Sequence, residues 1–116
     1  MDLFSEEYYK KIQDRNEAEA EIRETLQAKF QSMGVRRKSV LTVSNDLAEI
    51  YSDVIDIKTE IEQLLDTPES DWDTLQTLIV DLRVRFWHLK GHLISARKPL
   101  DYLGEYCDKF LPDDEE

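Results

Sequence analysis

Turn-forming residues are scarce in this chain, with three glycines and three prolines among 116 residues. A sheet of several strands needs a turn roughly every 8–12 residues, so the composition excludes one and leaves a few long helices. A single cysteine excludes an internal disulfide, and nothing ties the fold to an oxidising compartment. Basic residues are outnumbered by acids, 15 against 26, and the net charge of -11 disfavours binding to a nucleic-acid backbone or an anionic bilayer. No apolar run approaches the ~18 residues of a membrane span. The opening residues Met1-Asp2-Leu3-Phe4-Ser5-Glu6-Glu7 are acidic where a secretory leader is basic. The expectation is a soluble, cytoplasmic chain folded as one helical-bundle domain over residues 1–111, with residues 112–116 a disordered acidic tail.

The few turn residues punctuate the chain near Gly34, Pro68 and Pro99. A first helix is expected over about 5–33, with Ser5 as its N-cap, Phe4 stapled against Tyr9, and Gly34 supplying a left-handed C-cap followed by Val35. A second, about 39–65, carries Val40, Val43, Leu47, Ile50, Val54, Ile57, Ile61 and Leu64 at alternating steps of three and four. A third, about 70–97, opens on the capping sequence Ser70-Asp71-Trp72-Asp73. It repeats the same steps with Trp72, Leu75, Ile79, Leu82, Phe86, Leu89, Leu93 and Ala96. Residues 99–111 read as a short fourth helix or as a kinked extension of the third, with Cys107 on its apolar side.

Two regular seams joined by a short link are expected to lie antiparallel as a helical hairpin, completed to a three- or four-helix bundle by the first helix and the last. A turn centred on Pro68 sets Leu64 against Trp72, Ile57 against Ile79 and Ile50 against Phe86, and brings Asp53 near Arg85 and Asp46 near His92. Charge agrees with that orientation, since residues 41–73 hold ten acids and one base and residues 74–98 hold one acid and five bases.

The third helix carries more apolar surface than one neighbour covers. Val80, Val84, Trp87, Gly91 and Ile94 form a second stripe, expected to be an interface with a partner or a second copy, with Trp87 as anchor and Gly91 allowing close backbone approach. The resulting function is a small acidic protein–protein interaction module, an adaptor, assembly subunit or regulator that self-associates through this face. Paired acids on the first helix and the tail raise a second reading, an acidic inhibitor or DNA mimic. They are interleaved with Lys10, Lys11, Arg15, Arg23 and Lys29, which favours an ordinary solvated face.

Chemistry-bearing patterns are few. His88 and His92, four apart, read as surface histidines because no acid lies near them on their own helix, and no metal is expected. Arg36-Arg37-Lys38-Ser39-Val40 is a sequence that a basophilic kinase accepts, which makes Ser39 a possible phosphorylation site; capping of the second helix by Ser39 is the plainer role. Arg83-Val84-Arg85-Phe86-Trp87-His88 resembles the Arg-x4-His signature of the HEPN ribonucleases, all-helical domains that commonly pair as dimers. That resemblance covers six residues and implies RNA cleavage by Arg83 and His88 at a dimer interface. Val84 stands where the family usually has a polar residue. The sequence has no glycine-rich phosphate loop and no nucleophile elbow, so no catalytic or cofactor-binding residues are expected and the chain is not expected to be an enzyme.

Overall fold

The computed structural model describes residues 6–112, the side chains of residues 7–9 excepted, as three α-helices: α1 (Glu6–Ser32), α2 (Arg37–Asp66) and α3 (Trp72–Asp108). No strand occurs among the described residues. Capping by Ser5, the Phe4–Tyr9 staple and the acidic tail from residue 113 lie outside them.

The first break is built as the composition dictates. Gly34 takes φ +82°, its N–H bonds the Gln31 carbonyl at 3.0 Å, and the Val35 N–H bonds the Phe30 carbonyl at 3.2 Å. These are the paired bonds of a glycine-terminated helix, and Val35 is buried in a cluster against which Phe30 packs. The α2 helix begins two residues earlier than its expected cap. Arg36 holds the extended N-cap conformation without a side-chain cap, and Ser39 lies inside the first turn, where its buried hydroxyl accepts from Arg36 Nε at 3.0 Å. The third helix is capped by Asp71 rather than Ser70, its carboxylate accepting from the Thr74 N–H at 3.2 Å.

The separate fourth helix does not form, because α3 runs without a break through Pro99 to Asp108. A proline inside a helix costs about 3 kcal/mol. Ala96 and Leu103, seven apart on either side of it, are both buried, and this shared packing offsets the lost bond. Beyond Leu103 the helix outruns α2, and Cys107 is exposed where the apolar pattern placed it in a core.

α1 and α3 each pack along α2. The contacts Glu60 to Arg85, Asp53 to His88 and Asp46 to His92 ascend along α3 as they descend along α2, so the two helices run in opposite directions. At the far end Val35, Val40, Val43 and Leu103 form a buried cluster with Phe30, Leu47, Tyr102 and Tyr106 around it. There the Tyr106 hydroxyl donates to the Met33 carbonyl at 2.6 Å and closes the α1–α2 corner. The molecule is elongated, 61 × 32 × 25 Å, with a radius of gyration of 18.7 Å. A compact chain of this length has roughly 13 Å.

The contact line between α2 and α3 differs from the expected one. Along α3 the line that meets α2 is Leu78, Leu82, Arg85, Leu89, His92 and Ala96, again at steps of three and four but in the neighbouring frame, with Leu103 seven residues further on. Half of the apolar seam is shared by both frames. The other half, Trp72, Ile79, Phe86 and Leu93, is turned outward. On α2 the buried residues opposite are Asp46, Asp53 and Glu60, seven apart. A buried carboxylate without a partner is far costlier than a half-exposed aliphatic side chain, so the helix is set by its cations and histidines.

Candidate functional site

Two features stand out, on opposite sides of the α2–α3 contact. The first is a row of acids on α2, Asp46, Glu49, Asp53, Asp56 and Glu60, spaced by three and four and therefore on one face. Arg85 on α3 donates to Glu60 Oε1 at 2.5 Å and to Asp56 Oδ2 at 2.9 Å. Arg15 on α1 brings its Nε to 2.8 Å from that same Asp56 oxygen, at an angle that makes it an ion pair and not a hydrogen bond. Burial works to lower the Arg85 pKa, but the Glu60 hydrogen bond and the charges of Asp56, Glu60 and Asp81 outweigh it and the net shift is upward. Asp53 therefore faces His88, while Arg85, its expected partner, serves Asp56 and Glu60; Asp46 faces His92 as expected.

One turn along, His88 Nδ1 lies 2.6 Å from Asp53 Oδ2 and His92 Nδ1 lies 2.8 Å from Asp46 Oδ1. Both aspartates are buried, at 3 and 4% exposure. The two Nε2 atoms face each other at 3.3 Å, and Glu49 Oε2 is in contact with His92 Nε2. The ligand atoms of Glu49, His88 and His92 all lie within 4.8 Å of one another, close enough to share one metal ion. Burial lowers the His92 pKa, but its hydrogen bond to Asp46 and the charges of Glu49, Asp46 and Asp53 together raise it above 6.5. The sequence register brings Asp46 to His92 but assigns Asp53 to Arg85 and leaves Glu49 out, because acids that could share a metal with the histidines are sought only on their own helix. The acids come from the facing helix, and the signal was the regular spacing of five acids on α2.

The second feature is apolar. Trp72, Ile79, Phe86, Leu93 and Leu100 recur every seventh residue along α3 and are between 42 and 77% exposed. On α2, Val54 and Ile61 are exposed to a similar degree. Each stripe lies about a quarter turn, in the same rotational sense, from its helix's contact line. In an antiparallel pair that brings both to one side of the molecule. Ile79, Leu82, Arg83, Phe86 and Trp87 line a shallow apolar hollow there.

Of the residues expected to form an interface, Val80, Val84, Trp87 and Ile94 are 41 to 69% exposed and continue this surface around α3. A Cβ on Gly91 meets nothing within 4 Å, so no other segment among the described residues approaches it. Ser39, 4% exposed, is hidden from a kinase in the folded chain. Arg83 and His88 point to different sides, the former to the apolar hollow and the latter to Asp53, so one chain does not bring the Arg-x4-His pair together. Of the α2 acids, Asp46, Asp53 and Glu60 are buried against cations and histidines, while Glu62 is exposed. No helix among the described residues is long and apolar enough to cross a membrane. No protein-family model matches the chain, and no curated protein or solved structure is similar enough to match.

Proposed function

We propose that the protein is a helical interaction module, an adaptor or assembly subunit, whose docking surface is the outward apolar face of α3 with the adjoining flank of α2. The observation that carries this is the run of five large apolar residues at seven-residue spacing, each left 42 to 77% exposed. Fully burying such a side chain yields about 1.5–3 kcal/mol, so covering the remainder of the five makes available roughly 4–8 kcal/mol for association. A stripe of that period fits another helix with its own heptad pattern.

Charge selects among occupants. Arg83, Lys90 and Arg97, also seven apart, run beside the stripe, and among the described residues no carboxylate pairs with them. In a two-fold antiparallel pairing of α3 with its own copy this basic flank meets itself, which repulsion disfavours. The better occupant is an amphipathic helix of another protein with acids flanking its apolar seam. The test is tryptophan fluorescence during titration with two synthetic helical peptides, both leucine-seamed, one flanked by Glu and the other by Lys. We expect the Glu peptide to bind more tightly, and Phe86→Asp to abolish binding with helicity unchanged. Equal binding of both peptides removes the charge argument. A chain that light scattering shows to be dimeric, and that Phe86→Asp makes monomeric, would identify a second copy as the occupant. Failure of both peptides with a monomeric chain sinks the proposal.

A further inference from the structure

The polar side of the α2–α3 contact carries a second inference, independent of the apolar face. Carboxylates only accept hydrogen bonds, so Asp53 and Asp46 fix the ring protons of His88 and His92 on Nδ1. With both rings in that form, each Nε2 presents a lone pair, and the two lone pairs meet at 3.3 Å with an oxygen of Glu49 beside them. Three acceptors converging on one point repel one another unless a cation lies between them. A single proton on one Nε2 serves Glu49 or the other ring. A dication serves all three.

The geometry suits a particular ion. Two imidazole nitrogens each about 2.0–2.1 Å from a tetrahedral zinc stand roughly 3.4 Å apart, close to the spacing observed here. Two nitrogens and one carboxylate oxygen are a borderline donor set that suits zinc over calcium or magnesium. Buried carboxylates behind metal-binding histidines are the usual means of orienting the ring and raising its basicity, and Asp46 and Asp53 occupy those positions. An independent observation supports the charge deficit: the second oxygen of Asp46 is buried and has no hydrogen-bond partner. The ligands are reachable, since the His88 side chain is 52% exposed and that of Glu49 27%.

We propose that Glu49, His88 and His92 bind one zinc ion that fastens α2 to α3, with Asp46 and Asp53 as positioning residues and the fourth coordination position open to water or an added ligand. The test uses the full chain stripped with a chelator, then titrated with Zn²⁺ by calorimetry and with Co²⁺ by visible absorption. The expected result is one ion per chain, a tetrahedral Co²⁺ spectrum abolished by Zn²⁺, and a thermal midpoint that rises with Zn²⁺ concentration. His88→Gln, at an exposed position that keeps the fold, is expected to weaken zinc binding more than about 100-fold, and Asp53→Asn about 10- to 100-fold. Two results overturn the proposal: wild-type protein without a tetrahedral Co²⁺ spectrum, or zinc held equally by wild type and His88→Gln. The wild-type spectrum needs no variant, so a variant that unfolds does not blunt the test.

Discussion

Removing Arg85 alone should damage the fold more than removing Arg85 together with Glu60. In Arg85→Met the Glu60 carboxylate, its side chain 9% exposed, loses the one partner of Oε1 while Oε2 already has none. Asp56 keeps Arg15. Breaking a buried ion pair from one side costs about 3–5 kcal/mol. Arg85 is 34% exposed, so water reaches part of the vacated space, and the expected loss falls to roughly 2–3 kcal/mol. In Arg85→Met/Glu60→Leu no carboxylate is stranded and two apolar side chains meet across the contact. Its stability should lie within about 1 kcal/mol of wild type. Urea unfolding followed by helical circular dichroism reads both. With a slope of about 1–2 kcal/mol per molar for a chain this size, the single variant shifts the midpoint down by roughly 1–3 M and the double variant by no more than about 1 M. A double variant as unstable as the single one, or more so, would refute the reasoning, because it would mean that Glu60 contributes without its arginine.

Two further predictions follow from the same frame. Gly34→Ala forces a side chain into the φ +82° conformation and drives its Cβ to 2.8 Å from the Tyr106 hydroxyl, for an expected loss of about 2–3 kcal/mol from left-handed strain and the displaced hydrogen bond; in the Tyr106→Phe background Gly34→Ala should cost less, and equal costs would show the two are uncoupled. In chelator-treated protein His92 has a folded pKa raised above 6.5, so its contribution is fully present below that value and is lost as pH climbs through the raised one; the urea midpoint should decline across that window and flatten in His92→Gln, whereas a rise, or the same decline in both proteins, would contradict the assignment.

The helices and both breaks were legible in the sequence because Gly34 and Pro68 act locally. The face α3 turns to α2 was not. Leu82, Leu89 and Ala96 belong equally to two heptad frames, so apolar spacing alone does not choose between them. The choice rests on Arg85, His88 and His92 meeting the acids of α2, an interaction between segments that a scan along one helix does not register. Pro99 leaves the sequence open between a new helix and a kinked continuation because its local cost is plain, while the packing of Ala96 and Leu103 that carries the helix through is tertiary. Cys107 failed for a related reason: its periodicity continues past the point where α2 has ended. The apolar surplus of α3 was visible from the start; which residues compose its exposed part depended on the same choice of frame.

Asp56 occupies an unusual position in this arrangement. One of its oxygens receives an arginine from each outer helix, two rods that otherwise lean on the middle one and scarcely on each other. A change of charge there addresses both seams of the molecule at once, while a change at Asp46, Asp53 or Glu60 addresses one. A single carboxylate oxygen of Asp56 thus carries a direct ion pair to each of the outer helices.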